Sequence, residues 1–164
     1  MSTLYLIRHS QASFGKADYD CLSDLGQQQS GILADHFHNL GLEFDAIYSG
    51  NLLRHEQTLT AYLDLLAGSE KKIPSVQKKE AFNEYDSENI LKTLIPEMIL
   101  EEPAFEAEVT MMLSDKRSFQ VVYEKIMQKW VNSENPTKNP EHKPETWKTY
   151  SDRVHTGLNE VMAA

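Results

Sequence analysis

The sequence predicts an α/β fold: a mainly parallel sheet covered by helices on both faces, formed by one domain over residues 1–164. Three observations carry this. Short apolar runs end abruptly in polar residues, as strands buried on both faces do. Each run is followed by an amphipathic stretch bounded by capping residues, and the connections are short, so strand and helix alternate as in βαβ crossovers. The composition is globular, with 40% apolar and 25% charged residues and only 7 Gly and 6 Pro in 164 residues, a length that suits about one domain.

Leu4 to Ile7 is the first apolar run, and it stops at Arg8, His9, Ser10 and Gln11. Ser23 is an N-cap candidate, after which Leu25, Ile32, Leu33, Phe37 and Leu40 recur at roughly helical spacing until Gly41 offers a C-cap. The unit then repeats. Phe44 to Tyr48 is a second strand candidate ending at Ser49 and Gly50, and Leu52, Leu59, Leu63 and Leu66 mark a second helix up to Gly68. A third strand is expected within Ser75 to Phe82, ending at Asn83 and Glu84. Ligands bind beyond the carboxyl ends of parallel strands, and the polar clusters at 8–11, 49–54 and 83–84 all fall at that edge. Beyond them, Ile90 to Leu100 and Val121 to Trp130 read as helices, Asn132 to Glu145 as a polar connector, and Trp147 to Met162 as a last helix. Cys21, Trp130 and Trp147 read as packing residues.

Charge and composition exclude several functions. The net charge is −9 and no basic run exceeds a Lys pair, which argues against a nucleic-acid partner. Eight acids against Lys92 alone between Glu84 and Glu108 place −7 of that charge in one segment, read as a solvated helix face. No apolar run approaches the roughly 20 residues of a bilayer span, and no targeting segment precedes Arg8, so no membrane partner is expected. Cys21 has no second cysteine to pair with, which fits a reducing, cytoplasmic location.

Other chemistries fail on spacing. Neither glycine-rich phosphate loop is present, nor a G-x-S-x-G elbow. The residue six after Cys21 is Gln27, where a cysteine phosphatase needs Arg. Asp18 and Asp20 form a D-x-D preceded by Gly15, Lys16 and Ala17, not by the apolar strand that a phosphoaspartate enzyme uses. His36 and His38 are two apart on a helix and diverge, and His55-Glu56 begins an H-E-x-x-H that Leu59 leaves incomplete, so no metal site is expected. His36, His38, His142 and His155 read as surface or cap residues.

What survives is a constellation at the strand ends. Two of only four arginines, Arg8 and Arg54, lie there, and two guanidinium forks on one pocket call for an anionic, phosphate-like ligand. His9 adjoins Arg8, and a neighbouring cation favours the neutral, nucleophilic imidazole. Glu84 offers a proton for a leaving oxygen and then a base for water. Gln11, Ser10 and Asn83 are further pocket candidates.

These residues resemble the histidine phosphatase, or phosphoglycerate mutase-like, superfamily. Leu6-Ile7-Arg8-His9-Ser10-Gln11 resembles its R-H-G motif, and Leu22-Ser23 with Gly26 and Gln29 its L-[ST]-x-x-G-x-x-Q. Leu52, Arg54, Gln57 and Thr58 are similar to L-x-R-x-x-Q-T, and Phe82-Asn83-Glu84 to the segment carrying the general acid. Gln11 to Gly15 with Tyr19-Asp20 resembles one small-phosphatase branch. The resemblance implies a three-layer α/β/α fold with a helical cap or insertion at about 88–143. It implies a phosphomonoester hydrolase in which His9 becomes phosphohistidine, Arg8 and Arg54 bind the phosphoryl oxygens, and Glu84 is the proton donor. A small phosphorylated substrate is implied, and no metal or organic cofactor.

The sequence departs from the family pattern in three ways. Ser10 stands at the motif's Gly, bringing a Cβ to a place where backbone approaches phosphate. Gly50 replaces the usual Ser. The family's second active-site His belongs to a later strand between the first two, beyond Ala164, so the resemblance implies a chain truncated before its central fourth strand. The competing expectation is therefore a weak or inactive phosphate-binding member serving recognition or assembly.

Overall fold

The structure, a computed structural model, describes residues 2–13, 20–135, 137 and 143–164. The chain divides into two compact units, Met1–Asn83 with Gly157–Ala164, and Glu84–Thr156.

In the first unit, helix α1 (Asp24–Asn39) starts as the sequence predicts: the Ser23 hydroxyl accepts the Gly26 N–H at 3.0 Å, satisfying a donor that the helix itself cannot. It ends at Gly41, whose φ of 65° suits a residue without Cβ. There the N–H groups of Gly41 and Leu42 close on the carbonyls of His38 and Phe37, each at 3.0 Å. Strands β1 (Ala46–Ser49) and β2 (Ser75–Lys78) pair in parallel, Ala46 opposite Ser75 and Ser49 opposite Lys78, with helix α2 (Leu53–Ala67) between them in the chain. This is the predicted βαβ unit. A 3₁₀ turn, Glu80–Phe82, then leads to Asn83.

The core of this unit lies between α1 and α2. Ala34, Phe37, Tyr62 and Leu66 are buried, with Leu42, Phe44 and Ile47 against them. Phe37, Phe44 and Tyr62 meet edge to face at 5.5–5.9 Å between ring centroids, the arrangement aromatic quadrupoles favour.

Three expectations need correction. Residues 4–7 form no strand, and Leu4, Tyr5, Leu6 and Ile7 are 46–76% exposed. A strand exists only with a ladder partner; β1 and β2 pair with each other, and residues 2–8 make no hydrogen bond among the described residues. The sheet of the described residues therefore has two strands, parallel as expected but smaller. The third strand lies within Ser75 to Phe82 as expected but ends at Lys78, short of Asn83, since Glu80–Phe82 turns into a 3₁₀ helix. Finally, α1 buries Gly26, Ser30, Ala34 and Phe37, while Leu25, Ile32 and Leu40 are exposed. The buried stripe is small because α1 runs close against residue 11: a Cβ on Gly26 would lie 2.1 Å from the Gln11 carbonyl oxygen.

The second unit contains helices α3 (Ser87–Glu101), α4 (Phe105–Met111) and α5 (Lys116–Asn132), so the segment expected as an insertion is helical. Ile90, Leu94, Phe105, Met112, Val122, Ile126 and Trp130 form its core. The Trp130 indole N–H donates to the Glu145 carbonyl at 2.6 Å, which satisfies the one polar atom of a fully buried ring. Trp147, at the start of helix α6 (Trp147–Ala163), packs edge-on to Trp130 at 5.5 Å. Part of the acidic run is matched by lysines of α5, Lys125 on Glu108 at 2.6 Å and Lys129 on Glu101 at 2.5 Å. Residues 14–19 of the D-x-D stretch, and His142 of the connector, lie outside the described residues.

Candidate active site

His9 is held through its neighbours. The Ser10 N–H donates to the Thr58 hydroxyl at 3.0 Å, and that hydroxyl donates to the Arg54 carbonyl at 2.7 Å. One α2 turn thus ties the backbone beside His9 to the backbone of Arg54. The Ser10 side chain is turned inward, 2.8 Å from the Ser30 hydroxyl of α1, which also reaches the Gly26 carbonyl at 3.0 Å. The Ser10 side chain, a pocket candidate of the sequence, is thus buried against α1.

The His9 ring has a defined tautomer. Its Nδ1 lies 2.7 Å from the Ser10 carbonyl oxygen, and a carbonyl only accepts, so Nδ1 carries the proton. In the neutral ring Nε2 then presents its lone pair. A nucleophilic imidazole requires this arrangement.

Arg54 is buried in the first turns of α2 and donates from Nη1 to Asp20 Oδ1 at 2.6 Å. The other Asp20 oxygen accepts the Leu53 N–H at 2.8 Å, so one carboxylate both pairs the guanidinium and caps the helix. Arg8 is exposed and makes no hydrogen bond or ion pair among the described residues. A second imidazole, His55, lies 5.6 Å from His9 between ring centroids, tilted by 38°. Gly50 makes room for it: a Cβ there would sit 2.3 Å from His55 Nδ1 and 2.8 Å from Asn83 Oδ1. The replacement of the family's Ser by Gly50 is thus matched by a histidine one residue after Arg54.

Of the remaining candidates, Asn83 accepts the Asn51 N–H on Oδ1 at 2.6 Å, joining the ends of β1 and the 3₁₀ turn. Gln11 is bonded to the start of α1: its Oε1 accepts the Ser23 hydroxyl at 2.8 Å, and its N–H donates to Gln29 at 3.0 Å. Glu84 is exposed in the second unit. Burial pushes the Tyr150 hydroxyl up in pKa, with Arg153 opposing and the charge of Glu84 adding to the rise. No group of three His, Cys, Asp or Glu side chains arranged for a metal occurs among the described residues.

The sequence reading missed Asp20 and His55. Asp20 was visible beside Tyr19 in the branch motif, and His55 in the step after Arg54, but neither spacing says which side chain faces which. Gln57, already in the motif, accepts the Leu22 N–H at 2.7 Å and so docks α2 on the segment that follows Asp20.

The family model for the histidine phosphatase superfamily (branch 1) matches residues 4–117. Among solved structures, the chain is similar to one from Agrobacterium tumefaciens that carries the provisional name phosphohistidine phosphatase SixA. The two share 19% identity over 71% of this chain and 80% of the other, with a TM-score of 0.39. No curated protein matches the sequence significantly.

Proposed function

Because this chain belongs to the histidine phosphatase superfamily, we propose that it hydrolyses a phosphomonoester through a phosphohistidine at His9. The observation that carries the reading is the Nδ1 contact with the Ser10 carbonyl, which leaves Nε2 as the nucleophile. Nε2 attacks phosphorus, the ester P–O bond breaks, and the leaving oxygen takes a proton from the Glu84 carboxyl. Water then attacks the phosphorus of the P–N adduct, its proton passes to the Glu84 carboxylate, and inorganic phosphate leaves with His9 restored. Arg8 and Arg54 neutralise the phosphoryl oxygens, and positioning with charge neutralisation supplies most of the rate. Gln11, Ser10 and Asn83 are assigned to the surroundings of the pocket, Ser10 through its carbonyl on His9 Nδ1. We assign substrate choice to the helical insertion, which has its own core and so tolerates change without repacking the segment around His9. The three-layer α/β/α arrangement belongs to the same reading.

One observation favours a second reading, a weak or inactive phosphate-binding member. The segment leading into His9 is exposed and without ladder bonds, and small misplacements of a nucleophile cost large factors in rate. Rapid-quench labelling with a ³²P-phosphomonoester decides between them. The enzyme reading expects an acid-labile, base-stable label on His9 during turnover, insensitive to chelators. Full turnover by His9→Ala, or loss of activity on chelation, refutes it. Phosphate binding without any label supports the second reading.

A further inference from the structure

We propose that Asp20 is an internal anion seated where a phosphoryl group would bind Arg54, so that phosphate enters by displacing it; this rests on the reading of Arg54 as a phosphate ligand. The Asp20 carboxylate divides its oxygens between the Arg54 guanidinium at 2.6 Å and the Leu53 N–H at 2.8 Å. A guanidinium N–H beside a backbone N–H is the donor pair that two oxygens of a tetrahedral anion use.

Burial and charge both point to displacement. The Arg54 side chain is 7% exposed and that of Asp20 38%. A buried guanidinium needs an anion at all times, whereas a carboxylate already in contact with water leaves the pair at small cost. With Asp20 in place, the Arg54 charge is already opposed when a phosphoryl dianion arrives. Once Asp20 has moved, the Arg54 guanidinium and the Leu53 N–H meet the phosphoryl oxygens in its place. Two anions sharing one guanidinium repel each other, so the dianion and the carboxylate exclude one another. The carboxylate keeps Arg54 compensated when no ligand is bound and sets the affinity for phosphate by competing with it.

The test is isothermal titration of the chain with inorganic phosphate, comparing wild type with Asp20→Asn, Asp20→Ala and Arg54→Ala. Asparagine retains an acceptor for the Leu53 N–H, so the helix start is preserved while the charge is removed. Displacement expects Asp20→Asn to bind phosphate roughly twofold to fivefold more tightly, the factor expected for losing a partly exposed competing ion pair. Equal or weaker binding by both Asp20 variants overturns it, since Asp20 would then only support Arg54. In the wild type, the Leu53 amide resonance should shift as phosphate saturates, and an unmoved resonance at saturation also overturns it. Undiminished binding by Arg54→Ala refutes the phosphate role of Arg54 itself, which separates that failure from failure of the displacement alone.

Discussion

Gly26 and Gly31 lie on the same helix, and replacing each by alanine should shift stability in opposite directions. Alanine is favoured over glycine within a helix by about 1 kcal/mol, so by propensity alone both changes stabilise. At Gly31 nothing lies within 4 Å of the added Cβ, and the gain should appear as a rise in Tm of roughly 2–4 °C for a chain of this size. At Gly26 the Cβ would be 2.1 Å from the Gln11 carbonyl oxygen, far inside the 3.0 Å closest approach. That oxygen is backbone and also accepts the Ser23 N–H at 2.9 Å, so no side-chain rotation relieves the clash. Either α1 or residue 11 must retreat by about 0.9 Å, the shortfall between those distances. Overpacking of this kind costs about 1–3 kcal/mol, and stretching the Ser10–Ser30 and Ser23–Gln11 bonds costs about 0.5–1.5 kcal/mol each. After the propensity gain, Gly26→Ala should destabilise by about 3 kcal/mol and lower Tm by roughly 6–12 °C. Thermal and urea denaturation followed by far-ultraviolet circular dichroism measures both variants. If Gly26→Ala proves as stable as Gly31→Ala, the close approach of α1 to residue 11 is wrong.

Arg54→Ala should lower kcat toward a phosphomonoester by roughly 10²–10³, comparable to losing one strong oxyanion donor; unchanged initial rates would remove Arg54 from the phosphoryl contact. Trp130→Ala should destabilise the second unit by about 3–5 kcal/mol. Trp130→Phe should cost less but leave the Glu145 carbonyl without its donor, and equal denaturant midpoints for the two variants would contradict this core. Asp115 caps α5, and hydrogen bonds from Ser118 and Arg117 hold its carboxyl down to about 2. Its stabilisation is therefore complete above the ordinary value of 3.8 and lost as pH falls toward 2, which carboxyl ¹³C titration checks; a midpoint near the ordinary value would refute the cap. The exposed residues 4–7 should promote self-association through unpaired backbone. Leu6→Lys should shift light scattering toward monomer, whereas a wild type that is already monodisperse and unfolds cooperatively would count against this.

The chain's own local chemistry determined most of its helices. The Ser23 hydroxyl and the left-handed Gly41 act within a few residues of themselves, so α1 starts and ends where its sequence says. The alternation of apolar run and amphipathic stretch likewise announced the parallel βαβ unit, and the Arg8-His9 and Arg54 motifs announced the family. These signals survive in one dimension because capping, turn chemistry and periodicity are short-range.

Only the tertiary structure decided what depends on a partner distant in the chain. An apolar run at residues 4–7 shows that those residues favour burial, but pairing needs a ladder, and β1 took β2. Hydropathy marked Leu25, Ile32 and Leu40 on α1, whereas the small residues Gly26, Ser30 and Ala34 face inward, because close approach selects for size before apolarity. The motif named Arg54 without saying that Asp20 would neutralise it across 34 residues, or that His55 would lie over Gly50 beside His9. Charge pairing and ring contact act over a few ångströms of space whatever the separation in sequence, and spacing along the chain carries no record of them.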